Sequence, residues 1–149
     1  MRIKFFRSKE KKEILRQLNE NFGIEELPYL LIETGKEKIR FFSGDLNRDE
    51  IKKLASLTTI ENIGLYSLRE ENGLRITLDA THILKDQITK GIIELNDEEA
   101  KAWLKGENIQ KQTPKGPLII KNKTDFLGTT KSNGEKLFNY IPKERRLRK

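Results

Sequence analysis

The side chains best placed to do chemistry are cations crowded toward the end of the sequence. The run Pro142-Lys143-Glu144-Arg145-Arg146-Leu147-Arg148-Lys149 holds five positive residues and one negative. From Glu107 onward there are eleven Lys and Arg against four Asp and Glu, while Met1 to Gly106 balances at nineteen of each. The whole net charge of +7 therefore belongs to the last third of the chain. Guanidinium forks match phosphate oxygens, and a one-sided positive field gathers polyanions. Capture of a nucleic acid, RNA foremost, is the chemistry this arrangement implies.

Other chemistries find little support. With no cysteine, a disulfide, a thiolate nucleophile and a cysteine-based zinc site are excluded. His82 is the single histidine and lacks ligand-spaced neighbours, so it reads as structural. Glu70-Glu71 flanks a turn, and Asp97-Glu98-Glu99 opens a helix; neither is spaced as a catalytic pair. No nucleophile triad, phosphate-binding glycine loop or metal motif is present. The expectation is a protein that is not an enzyme, with no cofactor and no metal. No run approaches the roughly 18 apolar residues of a membrane span, and the charged opening Met1-Arg2-Ile3-Lys4 does not read as a leader. A cytoplasmic protein without membrane contact is expected. Abundant Lys, Glu and Ile without Cys resemble a thermophile's composition.

These cations need elements to position them. Ile3, Phe5 and Phe6 can form a short edge strand or an arm. Ile14, Leu15, Leu18 and Phe22 share one helical face over 8–22, with Ser8 as the expected cap and Gly23 as the stop. Strands are expected at 28–33 and 38–43, joined by a turn at Thr34-Gly35-Lys36. Asn47 and Glu50 have capping-box spacing, and Ile51, Leu54 and Ala55 form the expected buried stripe of a second helix. A strand over 60–69 should turn at Asn72-Gly73 in a type I′ geometry and return through Leu74, Ile76 and Leu78. A short helix or turn at 79–85 follows.

Past a boundary near residue 88, Gly91 to Leu95 reads as a strand. Asn96 and Glu99 open a helix whose inner face is Ala100, Trp103 and Leu104, and Gly106 ends it. Strands at 117–121, from 126, and at 136–141 complete a small barrel, with a second type I′ candidate at Asn133-Gly134. The fold class is α+β: an α+β unit over 1–88, then a β pseudobarrel over 89–149. The stretch 13–106 carries a net charge of −5 between basic ends, which suits a protein partner better than RNA.

Ile92 to Leu95, Glu99 to Ile109, Phe126-Leu127-Gly128, Lys131 and Asn139-Tyr140-Ile141-Pro142-Lys143 together resemble a PUA domain, an RNA-binding pseudobarrel. Two patterns are nearest: the PUA-like tail of Nol/Nop/Sun RNA cytosine-5 methyltransferases, and the Nip-seven family of large-subunit ribosome biogenesis factors. In the latter an α+β pre-PUA domain comes first, and Ile39 to Ser43, Ile63 to Tyr66 and Leu74 to Leu78 sit where its strands should lie. The resemblance implies a non-enzymatic protein that binds ribosomal or tRNA-like RNA through the PUA domain. The alternatives are a protein-interaction adaptor, or a guide subunit for an RNA-modifying enzyme.

The resemblance also implies that the last strand returns to the glycine after the PUA helix. On that basis Lys105, Gly106, Lys131, Lys143, Arg145, Arg146, Arg148 and Lys149 are the candidate RNA contacts. Gly106 would let a phosphate approach the backbone, although a plain helix stop explains it equally well. Trp103 reads as core. Tyr140 could stack on a base or pack inside the barrel.

Overall fold

The computed structural model describes residues 2–58, 60 and 63–148. Two five-stranded sheets share a core. The first has the order β1-β2-β3-β4-β5, formed by Ile3–Phe5, Leu30–Thr34, Lys38–Phe42, Leu65–Glu70 and Leu74–Ile76. Its strands run antiparallel throughout. The edge strand expected near Ile3 is present, paired with β2. Helix α1 (Ser8–Phe22) buries Ile14, Leu18 and Phe22 against Leu31, Ile39, Phe41, Leu68 and Ile76. Ser8 is not its cap: Arg7 holds that position, and its backbone N–H donates to the Glu10 carboxylate at 3.1 Å.

Helix α2 (Arg48–Leu57) keeps the predicted box, with Asn47 Oδ1 accepting from Glu50 N–H and the Glu50 carboxylate accepting from Asn47 N–H. Its predicted stripe needs correction. Only Ile51 is buried, against Ile32 and Ile63, while Leu54, Ala55 and Leu57 face outward. The helix meets the sheet along one line of contact too narrow to cover a full apolar face. The first residues of the strand expected over 60–69 include Glu61 and Asn62, which lie outside the described residues.

Leu78 is not on the return strand. Thr77 Oγ1 accepts from Ala80 N–H and opens helix α3 (Leu78–Ile83), which continues into a 3₁₀ turn at Lys85–Gln87. The second sheet has the order β6-β8-β9-β10-β7, from Ile92–Glu94, Gly116–Asn122, Asp125–Ser132, Lys136–Leu137 and Ile109–Gln110. β6 runs parallel to β8, with α4 (Asp97–Leu104) following it. The Asn96–Glu99 capping box is formed as predicted.

β8 is buried on both faces. Ile119 joins the α1 core, and Leu118 and Ile120 join a second core with Trp103, Leu127, Leu137 and Ile141. The main core thus crosses the boundary expected near residue 88. Trp103 is fully buried, as expected, and its indole N–H donates to the Leu127 carbonyl at 2.9 Å.

Three readings of the end of the sheet fail. Residues 109–110, where no strand was expected, pair with β10 as a short strand. The strand expected over 136–141 stops at Leu137. Asn139 draws the chain off the ladder, donating from Nδ2 to the Trp103 and Glu107 carbonyls and accepting from Ile141 N–H through Oδ1. Asn133 keeps a negative φ and accepts from Glu135 and Lys136 N–H instead of entering a type I′ turn. These groups satisfy one another locally, which a strand ladder would not permit.

Candidate nucleic-acid interface

The stretch from Phe138 to Arg148 carries half of the candidate residues, and the structure folds it back onto α4 and α3. Gly106 follows α4 with φ +94°, and a Cβ built there would lie 2.5 Å from Arg146 Nε. Arg146 thus crosses the bare backbone of Gly106, and its Nε donates to the Ile141 carbonyl at 2.9 Å. Leu147 N–H donates to the Leu104 carbonyl at 2.8 Å, one of the carbonyls the helix end leaves open. Arg145 ion-pairs with Asp79 at the start of α3. Lys105, half-buried, closes the last turn of α4.

Lys143 and Arg148 are exposed and pair with no described acidic residue. Lys149 lies outside the described residues. Lys131 is exposed on β9, and its Nζ donates to the Asn72 carbonyl at 2.5 Å across the two sheets. It stands beside Tyr140 and Phe138 at the edge of a shallow hollow. The candidates therefore fall into two groups. Lys105, Gly106 and the tail form a ridge, and Lys131 lies apart from it against the β4–β5 turn. His82 is exposed on α3.

Between ridge and sheet lies a cleft of about 430 Å³ that sequence reasoning did not find. Its floor is the face of the first sheet that α2 leaves open. Lys38, Arg69 and Arg75 stand directly opposite one another on β3, β4 and β5, with Arg40 opposite Tyr66 beside them. Like charges opposite one another on adjacent strands destabilise a sheet. Glu71 accepts from Arg69 and from Arg75, each at 2.9 Å, and Glu37 lies 3.8 Å from Arg69. The Tyr66 hydroxyl, and after it Glu71, push the Arg69 pKa further up, so this guanidinium stays charged.

The far wall comes from the second sheet and the tail: Gly128, Thr129, Tyr140, Ile141 and Glu144. Tyr140 is neither packed in the barrel nor free. Its ring is 41% exposed and lies 3.8 Å from the Arg75 guanidinium carbon. Arg75 Nε is buried without a hydrogen-bond partner among the described residues, an omission that costs about 1–3 kcal/mol in a folded protein.

The sequence held a partial signal for this floor, because Lys38 and Arg40 alternate onto one face of β3. The rest was hidden by register. Asn72 and Gly73 both have positive φ, as a type I′ pair requires, yet the ladder pairs Glu70 with Leu74 and Arg69 with Arg75. A two-residue loop would have put Ile76 opposite Arg69; the three-residue loop brings the two arginines together.

Two sheets on a common core, the second curled into a half-barrel with its chain end returned to the helix, define a PUA-type fold. Residues 90–147 match the family model described as the methyltransferase RsmF PUA domain. A crystal structure of a PUA domain from Aeropyrum pernix K1, a tartrate complex, is similar over 95% of this chain and 86% of that one, with a TM-score of 0.55 at 14% identity. That likeness is one of fold. No curated protein matches the chain at a significant level. Among the described residues, no helix is long and apolar enough to cross a membrane, and no three acidic or histidine side chains cluster as metal ligands.

Proposed function

We propose that the protein binds structured RNA without transforming it, on the ridge formed by the end of α4 and the basic tail. The observation that carries this reading is Arg146 lying across Gly106, with Leu147 hydrogen-bonded to Leu104. Together they fix in place a segment that would otherwise fray. Lys143 and Arg148 are then held on one short reach of chain that is bonded to the end of α4 just before Lys105, available to phosphates. The match of residues 90–147 to a PUA domain supports the same ligand. By its resemblance to the Nip-seven factors, the RNA is a ribosomal precursor or a tRNA-like fold, and the work is cytoplasmic ribosome assembly. The acidic segment 13–106 receives a protein partner, with Leu54 and Leu57 exposed on it.

A second reading is favoured by one observation: the matching family model describes a methyltransferase's PUA domain. In that case the chain guides a separate RNA-modifying enzyme. Co-purification with such an enzyme separates the two readings.

The test is salt-dependent binding to a structured RNA. Three to five phosphate contacts give a log–log slope of roughly −2 to −4.5. The pair Lys143→Gln and Arg148→Gln, both exposed, should flatten the slope by about 1.4–1.8 while leaving the unfolding midpoint unchanged. An unchanged slope in that double variant refutes the ridge.

A further inference from the structure

We propose that the cleft between the two sheets, whose far wall includes the inner side of the tail, is a nucleotide-binding site holding one base and one phosphate. Its size falls at the lower end of the roughly 300–1,000 Å³ usual for small-ligand sites. Its lining selects the ligand. Lys38, Arg40, Arg69 and Arg75 line it with the carboxylate of Glu144, and Glu71 and Glu37 pair with Arg69 and Arg75 at its margin, which leaves a net positive lining that suits an anion. Tyr66 and Tyr140 add aromatic faces, and Leu78 and Leu127 add apolar surface, so part of the ligand is flat and poorly hydrated. An inorganic anion would use only the cations; a nucleotide uses both sets.

Three further observations point the same way. The row Lys38, Arg69, Arg75 sets like charges side by side on three strands, a conflict that Glu71 and Glu37 offset in part, and proteins keep such local conflicts chiefly at functional sites. Arg75 lines the cleft, and its buried Nε has no hydrogen-bond partner among the described residues. Its guanidinium already lies on the Tyr140 ring, which makes a preformed planar platform for a base. Both sources of this chemistry, a base turned out of a bound RNA and a free nucleotide, satisfy the site. It therefore stands or falls separately from RNA binding on the ridge.

The experiment is calorimetric titration of the full chain with AMP, UMP, ribose 5-phosphate and inorganic phosphate, repeated on three variants. AMP should bind at least about tenfold tighter than ribose 5-phosphate, the worth of one base stacked on an aromatic ring. Tyr140→Ala, at an exposed ring, should erase that advantage. Lys38→Ala should weaken all four ligands. Glu144→Gln should tighten all four, a gain that a merely structural role for this residue would not produce. Equal affinity for AMP and ribose 5-phosphate overturns the proposal, as does AMP binding indifferent to both Tyr140→Ala and Lys38→Ala. Competition between AMP and a single-stranded RNA upholds the site with a turned-out base as its occupant; simultaneous binding upholds it with a free nucleotide. RNA binding without any AMP binding removes the cleft and leaves the ridge; AMP binding without RNA binding does the reverse.

Discussion

A methyl group at Gly106 would meet Arg146 Nε at 2.5 Å on a backbone whose φ of +94° already disfavours any side chain. Gly106→Ala should therefore cost about 1–3 kcal/mol in urea unfolding. It should also weaken RNA binding by more than the stability loss explains, because Arg146 must leave its place and the tail with it. An Ala variant that binds RNA with wild-type affinity would make Gly106 a helix stop and nothing else. The sequence marked this glycine but could not show what covers it. Arg146 is forty residues on, and only the tertiary fold joins the two. Tyr140 illustrates the same limit. Its residue type allowed stacking or burial, and the deciding neighbour, Arg75, lies on the other sheet.

Individual elements were legible where one segment carried its own information. The Asn47–Glu50 and Asn96–Glu99 boxes and the α1 face are local patterns, and each formed. Partner-dependent features were not legible. The α2 stripe failed because burial depends on what the sheet offers beneath it. β10 stopped short because Asn139 found carbonyls on α4 and just past its end, at Trp103 and Glu107, that no strand template contains.

The joint between elements is equally specific. Ile76 on the edge of β5 donates its N–H to Thr129 Oγ1 and accepts the Thr129 hydroxyl at its carbonyl, both at 3.0 Å. Thr129 is 5% exposed, so no water replaces it readily. Thr129→Val keeps the shape and removes both bonds, leaving two buried backbone groups unpaired. Loss of about 2–4 kcal/mol is expected, measured by denaturant unfolding; a change below about 0.5 kcal/mol, the scale of surface substitutions, would show the bridge to be incidental.

At the start of α4, the Asn122 side-chain amide and then Lys123 hold the Asp97 carboxyl below its ordinary 3.8. A lowered folded pKa stabilises the protein above the unfolded value and ceases to do so as pH falls through the folded one. The thermal midpoints of wild type and Asp97→Asn should thus differ above pH 4 and converge under stronger acid. A gap that widens on acidification would reverse this assignment.

For the whole molecule, the question is whether residues 1–88 and 89–149 are two bodies or one. Ile119 and Phe126 belong to the second sheet yet sit in the α1 core, and a Cβ on Gly91 would come 2.5 Å from the Asn21 carbonyl at the end of α1. Thr89 N–H donates to the Phe22 carbonyl, so the connecting segment is bonded into the core rather than strung between two domains. A free 89–149 fragment would expose Ile119 and Phe126, forfeiting about 1.5–3 kcal/mol for each. A piece of about 60 residues has little to spare, since whole small domains hold only about 5–15 kcal/mol.

The full chain should therefore unfold in one transition seen alike by Trp103 fluorescence, which reports the second core, and by far-ultraviolet dichroism, to which α1 is the largest helical contributor. The 89–149 fragment should show no cooperative transition. Two separated transitions in the full chain, or a fragment that melts cooperatively on its own, would uphold the boundary that the sequence suggested. The outcome also bears on the cleft. Its cations come from the first sheet and Tyr140 and Glu144 from the second unit's tail, so it keeps a fixed shape only if the two sheets fold and move as one.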